Sequence, residues 1–138
     1  MTLINRSAAG YQLDCPDPAL RIALQSWLDG ACLSWPGTFE VKARLVAELP
    51  TVVDSREPVY QQGFAIQAGE PDRTVRIRWP EGPAEALVHE REAVVELWLT
   101  PETMAQFESA ERGFLLLALL FLLRRIGWYH VHGAALID

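Results

Sequence analysis

The chain has 138 residues, half of them hydrophobic, and its formal net charge at pH 7 is −6. This length supports one domain with a hydrophobic core, and since no linker or repeat divides the sequence, we predict a single domain over residues 1–138. The acidic balance argues against a nucleic-acid-binding surface, and the high apolar content with charges of mixed sign argues against disorder.

The N-terminal part of the chain predicts short strands followed by one amphipathic helix. One or two strands are expected between residues 3 and 14. Asp17 followed by Pro18 is typical of a helix start. The apolar residues after them recur at helical spacing: Leu20, Ala23, Leu24, Trp27 and Leu28. We therefore predict a short helix over residues 18–28, ended by Gly30.

The middle of the chain changes to an alternation of apolar and polar residues, which is typical of half-buried strands. In the clearest example, apolar residues at 75, 77 and 79 alternate with Thr74, Arg76 and Arg78. Because each strand has a polar face, we predict an antiparallel sheet with one face in solvent. The predicted strands cover residues 38–49, 59–68, 74–79, 84–89 and 93–99.

The last third of the chain predicts one long helix. Thr100 can cap it, and Pro101 suits its first position. Gly127 can take the left-handed conformation that ends a helix, so we predict a helix over residues 101–126. Its second half is apolar on every side and must be buried by the rest of the domain. The apolar run over residues 114–123 is half of the roughly 20 residues that a membrane span needs, so we predict a buried core helix and no membrane partner. The alternative is a helix that lies at a membrane interface.

Together these elements predict an α+β fold. An antiparallel multi-stranded sheet packs against one long buried C-terminal helix, and the short N-terminal helix lies at its side. The two cysteines, Cys15 and Cys32, lack the spacing of a zinc site, and a chain this apolar needs no disulfide. We therefore expect reduced thiols in a cytoplasmic protein, and the N-terminus shows no signal peptide.

Few residues of the chain suggest chemistry. The sequence has no Gly-rich phosphate loop, no nucleophile elbow and no paired-cysteine motif, and we assign no catalytic residue. Arg76 and Arg78 lie two residues apart on a predicted strand, so they share one face, where they could bind an anion or a protein partner. The alternative, which the sequence alone favours, is that both guanidiniums only solvate the exposed face of the sheet.

His130 and His132 have the spacing that lets two residues of a strand reach one metal ion. The remaining ligands would have to come from elsewhere, and His89 is the only other histidine. The alternative, which we favour, is that one of the two is a hydrogen-bonded core or edge histidine and the other faces solvent. We therefore predict no metal site, and a metal-dependent hydrolase ranks last among the functions considered.

Residues 122–138 read LLRRIGWYHVHGAALID. This stretch resembles the lead-in to the nucleotide-binding core of HPr kinase/phosphorylase-like proteins, a family related to phosphoenolpyruvate carboxykinase. In that family a helix ends at a turn of small residues, and a strand with a similar His-Gly-Ala-Ala-Leu run precedes a second strand and the P-loop. His132 matches a position of that motif.

The resemblance implies that the chain is the non-catalytic N-terminal domain of an HPr-kinase-like, ATP-dependent P-loop kinase, with a role in substrate recognition or assembly. The P-loop would begin beyond Asp138, so ATP and Mg²⁺ are expected only in a longer parent protein, and no cofactor in this chain. The apolar strand over residues 131–137 has no polar tail, so we expect a continuing chain or a homodimer formed through its edge. The alternative is a stand-alone α+β binding or adaptor module that takes a peptide or an anion around Arg76 and Arg78.

Overall fold

The structure is a computed structural model. It describes residues 5–6, 10–31, 38–50, 54–62, 64–68, 73–79, 84–105 and 117–122. The helices are α1 (Pro18–Ala31), α2 (Pro101–Ala105) and α3 (117–122). The strands are β1 (Asn5–Arg6), β2 (Tyr11–Asp14), β3 (Phe39–Leu45), β4 (Pro58–Gln62), β5 (Phe64–Gln67), β6 (Thr74–Trp79), β7 (Ala84–His89) and β8 (Val94–Leu99). They form one sheet with the order β1-β2-β3-β8-β7-β6-β5-β4.

The sheet is mixed, so the prediction of an antiparallel sheet is wrong. The strands from β4 to β8 form the expected antiparallel meander, but β3 runs parallel to both β2 and β8. α1 connects β2 to β3 as a crossover, and such a connection makes the two strands parallel. Apolar–polar alternation shows which face of the sheet a residue occupies but not which direction its strand runs, so it could not predict the parallel pairs of β3.

One face of the sheet carries the hydrophobic core. Cross-strand neighbours on this face are Val41 with Val95, and Val88 with both Val95 and Val75, and all of them are buried. The opposite face carries the intervening residues of the same strands, which are largely polar; we call it the polar face. The alternation in residues 74–79 predicted that Val75 and Ile77 face inward, and both are buried in the core.

α1 covers part of the core face. Leu20, Leu24 and Leu28 are fully buried in the same cluster as the apolar residues of the sheet. The predicted start is confirmed, because Leu20 N donates to Asp17 Oδ1 at 2.9 Å, as an N-cap requires. The helix continues past Gly30 to Ala31, three residues beyond its predicted end at 28.

The prediction of one long buried C-terminal helix over residues 101–126 is also wrong. Among the described residues, α2 spans only Pro101–Ala105 and α3 covers 117–122. The predicted start is confirmed, since Thr103 N donates to Thr100 Oγ1 at 3.4 Å. α3 belongs to the core through three buried residues: Ala118, Leu119 and Leu122. Two short helices can bury the same apolar residues as one long rod, because hydrophobic periodicity does not require the helix to be continuous.

Several strand boundaries also differ from those predicted. β3 ends at Leu45 rather than at residue 49, and the predicted strand over 59–68 is two strands, β4 and β5. β6 and β7 have the predicted bounds. In the described part of the chain, no helix has the length and apolar character needed to cross a membrane.

Candidate functional site

The polar face of β5, β6 and β7 positions the two arginines singled out in the sequence. Arg76 and Arg78 alternate with core residues of β6 and therefore share this face. In the register of the β6–β7 hairpin, Arg78 lies opposite Glu85. In the register of β5 with β6, Arg76 lies opposite Gln67. The pairing of β6 with β7 thus brings the Glu85 carboxylate to the arginines through residues that are close in sequence.

Arg76 is buried, with only 8% of its surface exposed, and it contacts two carboxylates. Its Nε donates to Asp54 Oδ2 at 3.1 Å, and its NH1 group donates to Glu85 Oε1. A guanidinium at this depth requires such partners, because an unpaired buried charge is strongly unfavourable. The charge of Arg76 is therefore balanced inside the protein.

Asp54 and Arg56 lie over the polar face in the segment before β4. Arg56 holds the Asp54 carboxylate with two donors, Nε at 2.9 Å and NH2 at 2.7 Å. Arg56 NH1 also donates to the carbonyl oxygen of Thr74 at 2.6 Å. Gln67 Nε2 donates to the carbonyl oxygens of both Asp54 and Arg56, at 3.1 and 2.7 Å. These bonds fix residues 54–56 against β5 and β6.

The hydrogen bonds from Arg56 hold the pKa of the Asp54 carboxyl well below its usual range. Burial acts in the opposite direction, and the backbone N–H of Arg56 and the side chain of Arg76 lower the pKa further. Asp54 is therefore an anion at neutral pH, and it serves as a structural counter-ion to two arginines.

Arg78 is the most exposed member of this group. Its side chain is 41% exposed, and its Nε lies 3.5 Å from Glu85 Oε1. We call Asp54, Arg56, Arg76, Arg78 and Glu85 the arginine cluster. Since Arg56 and Arg76 are largely buried, Arg78 is the arginine of the cluster that is most accessible to solvent.

Other titratable residues of the described chain form smaller arrangements. Nε2 of His89 lies 3.1 Å from Glu96 Oε2 on the polar face, and Arg44 pairs with Asp14 across β3 and β2. Cys15 is a buried free thiol, and burial is the main cause of its raised pKa. Within the described ranges, no group of three or more His, Cys, Asp or Glu residues is placed to hold a metal ion.

The C-terminal candidates lie outside the described residues. These are His130 and His132, together with the HPr-kinase-like stretch after residue 122. Cys32 also lies outside them. The predictions made for these residues stay predictions.

Sequence reasoning identified two members of the arginine cluster and missed the other three. Asp54, Arg56 and Glu85 were not singled out as candidates. A signal for Glu85 was present, because pairing the predicted strands 74–79 and 84–89 end to end places it opposite Arg78. The contact of Asp54 with Arg76 spans 22 residues and has no local signal in the sequence.

Comparison with known proteins adds no relative from which a function could be inferred. No protein-family model, no curated protein and no solved structure matches the chain.

Proposed function

We propose that the chain is a non-catalytic recognition domain that binds an anionic group of a partner, a carboxylate or a phosphate, through Arg78. The observation that supports this most strongly is the exposure of the Arg78 guanidinium, because the Arg78 side chain is 41% exposed whereas those of Arg56 and Arg76 are 14% and 9% exposed. A guanidinium suits this role because its planar fork can donate two parallel hydrogen bonds to either kind of anion.

In this proposal Arg76 positions the site rather than binding the ligand. Its two carboxylate partners use its charge, and Glu85 contacts both Arg76 and Arg78. Glu85 thereby limits the conformations that the Arg78 side chain can take, which reduces the entropy lost on binding. The pair predicted from the sequence thus divides into a buried scaffold residue and a half-exposed contact residue.

Arg78→Gln should weaken binding of an anionic probe about tenfold or more, because a hydrogen bond to a charged group contributes about 1.5–3 kcal/mol. Inorganic phosphate and a hexaglutamate peptide serve as probes, and calorimetric titration at low salt measures their affinities. Arg78→Lys should recover part of the loss, since it keeps the charge but not the fork.

Arg91→Gln is the matched control, because Arg91 is an exposed arginine on the turn before β8 and its loss changes the net charge equally. It should leave the affinity unchanged. If Arg78→Gln and Arg91→Gln weakened the affinity for the probes equally, the loss would come from the change in net charge and not from a site at Arg78. Failure of the unaltered protein to bind either probe would also contradict the proposal.

We also propose, from the resemblance of residues 122–138, that this domain serves an HPr-kinase-like, ATP-dependent P-loop kinase in the cytoplasm. Recognition of the protein substrate, or assembly of the enzyme, would be its contribution, and ATP with Mg²⁺ would bind elsewhere in the parent protein. The alternative is an adaptor module that acts without a kinase.

The coding sequence after codon 138 distinguishes these two proposals. The kinase proposal expects one more short strand and then G-x-x-x-x-G-K-[ST] within about 10 to 20 residues. An immediate stop codon, or a continuing sequence without that motif, would contradict it and leave the adaptor. Neither result depends on whether Arg78 binds an anion.

A further inference from the structure

The edge strand β4 combines exposed apolar side chains with a complete absence of charge. Val59 and Tyr60 are 66% and 47% exposed, and they are two of the three exposed large hydrophobic residues in the described part of the chain. The strand reads PVYQQ and contains no Lys, Arg, Asp or Glu. Edge strands of monomeric proteins are commonly protected by charged side chains, and β4 lacks this protection.

The C-terminal half of β4 has a regular edge on which another strand can add. Among the described strands, β4 pairs with β5 alone and ends the order of the sheet. The register shifts between Pro58 and Tyr60, whereas Tyr60, Gln61 and Gln62 pair regularly with β5. Pro58 and the irregularity beside it are devices that discourage pairing, but they affect only the first residues of the strand.

We propose that β4 pairs antiparallel with β4 of a second copy of this chain, about a twofold axis, and joins the two sheets. In such a symmetric interface each strand faces its own sequence, so a charge on β4 would lie close to a like charge on its copy. The neutral sequence of β4 removes that repulsion. Val59 and Tyr60 become covered on pairing, which adds an apolar contribution.

The opposite edge of the sheet is a poorer candidate for the same contact. β1 has two residues, Asn5 and Arg6, so self-pairing would bring two arginines together across few hydrogen bonds. β4 is longer and carries the exposed apolar side chains. β4 is therefore the edge that we expect to pair, and this pairing does not depend on anion binding at Arg78.

Sedimentation equilibrium over a wide range of concentrations tests this interface. The unaltered chain should approach twice its monomer mass at high concentration and dissociate on dilution, because one pair of edge strands buries less area than a standard interface. Val59→Lys and Gln61→Lys should each remain monomeric throughout. Ile22→Lys is the matched control, since Ile22 is 69% exposed but lies on α1, and it should dimerise as the unaltered chain does.

The lysine variants also separate strand pairing from general electrostatics. The chain has a net charge of −6, so each added lysine lowers the repulsion between two copies and on that ground favours association. Hydrogen exchange should show slower exchange of those amides of residues 60–62 that point away from β5 as the concentration of the unaltered chain rises. A monomer at every concentration, a dimer without that protection, or equal disruption by Ile22→Lys would overturn the proposal.

Discussion

Arg76→Ala should lower the free energy of unfolding by about 3–5 kcal/mol, which is the cost of removing one partner from a buried ion pair. The substitution removes the donors that contact Asp54 and Glu85, and both carboxylates are nearly inaccessible to water. Urea denaturation followed by circular dichroism measures the change. Arg91→Ala, at an exposed turn, should change the free energy of unfolding by no more than about 0.5 kcal/mol.

The loss should come from the Glu85 carboxylate more than from the missing packing of Arg76, because Asp54 keeps both donors of Arg56 whereas Glu85 keeps only the longer contact with Arg78. Neutralising Glu85, with Glu85→Gln beside Arg76→Met, should therefore restore part of the stability lost in Arg76→Met alone. A loss below about 1 kcal/mol in Arg76→Ala would show that water reaches these carboxylates, and the description of Arg76 as a buried scaffold residue would then be wrong.

Leu24→Ala should lower the free energy of unfolding by about 2–5 kcal/mol, through lost burial and the cavity that it leaves. Leu24 is fully buried at the centre of the apolar stripe of α1, between Leu20 and Leu28. Ile22→Ala is the matched control, because Ile22 lies on the same helix but is exposed to solvent. It should be close to neutral, since it leaves no cavity and alanine favours a helix.

The Leu24 comparison tests whether α1 covers the core face of the sheet. Denaturation midpoints of both variants, with their m-values, separate a loss of stability from a change in the unfolded state. Similar losses in Leu24→Ala and Ile22→Ala would contradict the packing of α1 described above.

The features that were predicted correctly depend on local sequence. β6 and β7 have the predicted bounds because β6 alternates without interruption and the sequence between the two strands, PEGP, is rich in proline and glycine. The starts of α1 and α2 were predictable because capping involves residues only three apart, as in Asp17 with Leu20. Each of these signals lies within a single strand or turn.

The features that were predicted wrongly depend on contacts between distant residues. One of the two neighbours of β3 in the sheet is β8, whose paired residues lie 54 positions later, as for Val41 with Val95, and nothing within β3 indicates that this neighbour is parallel. The prediction of one long helix assumed that an apolar pattern at helical spacing belongs to one unbroken helix. The described helical residues of this region form two short segments. Residues 106–116 lie outside the described ranges.

The candidate site was half predictable for the same reason. The shared face of Arg76 and Arg78 follows from their spacing alone, and the structure places both on the polar face. Their unequal exposure follows from Asp54 and Arg56, which precede β4 and lie over Arg76 but leave Arg78 partly exposed. Only the folded chain could show which arginine is available to a partner.

The most direct test of the central claim observes the Arg78 side chain itself. In ¹⁵N-labelled protein, the Nε–Hε signal of Arg78, assigned by its loss in Arg78→Gln, is followed as phosphate replaces chloride at constant ionic strength. We predict a saturable shift of that signal, with the Arg91 signal unmoved. An Arg78 signal that stays in place, or that moves only as much as the Arg91 signal, would contradict recognition through Arg78.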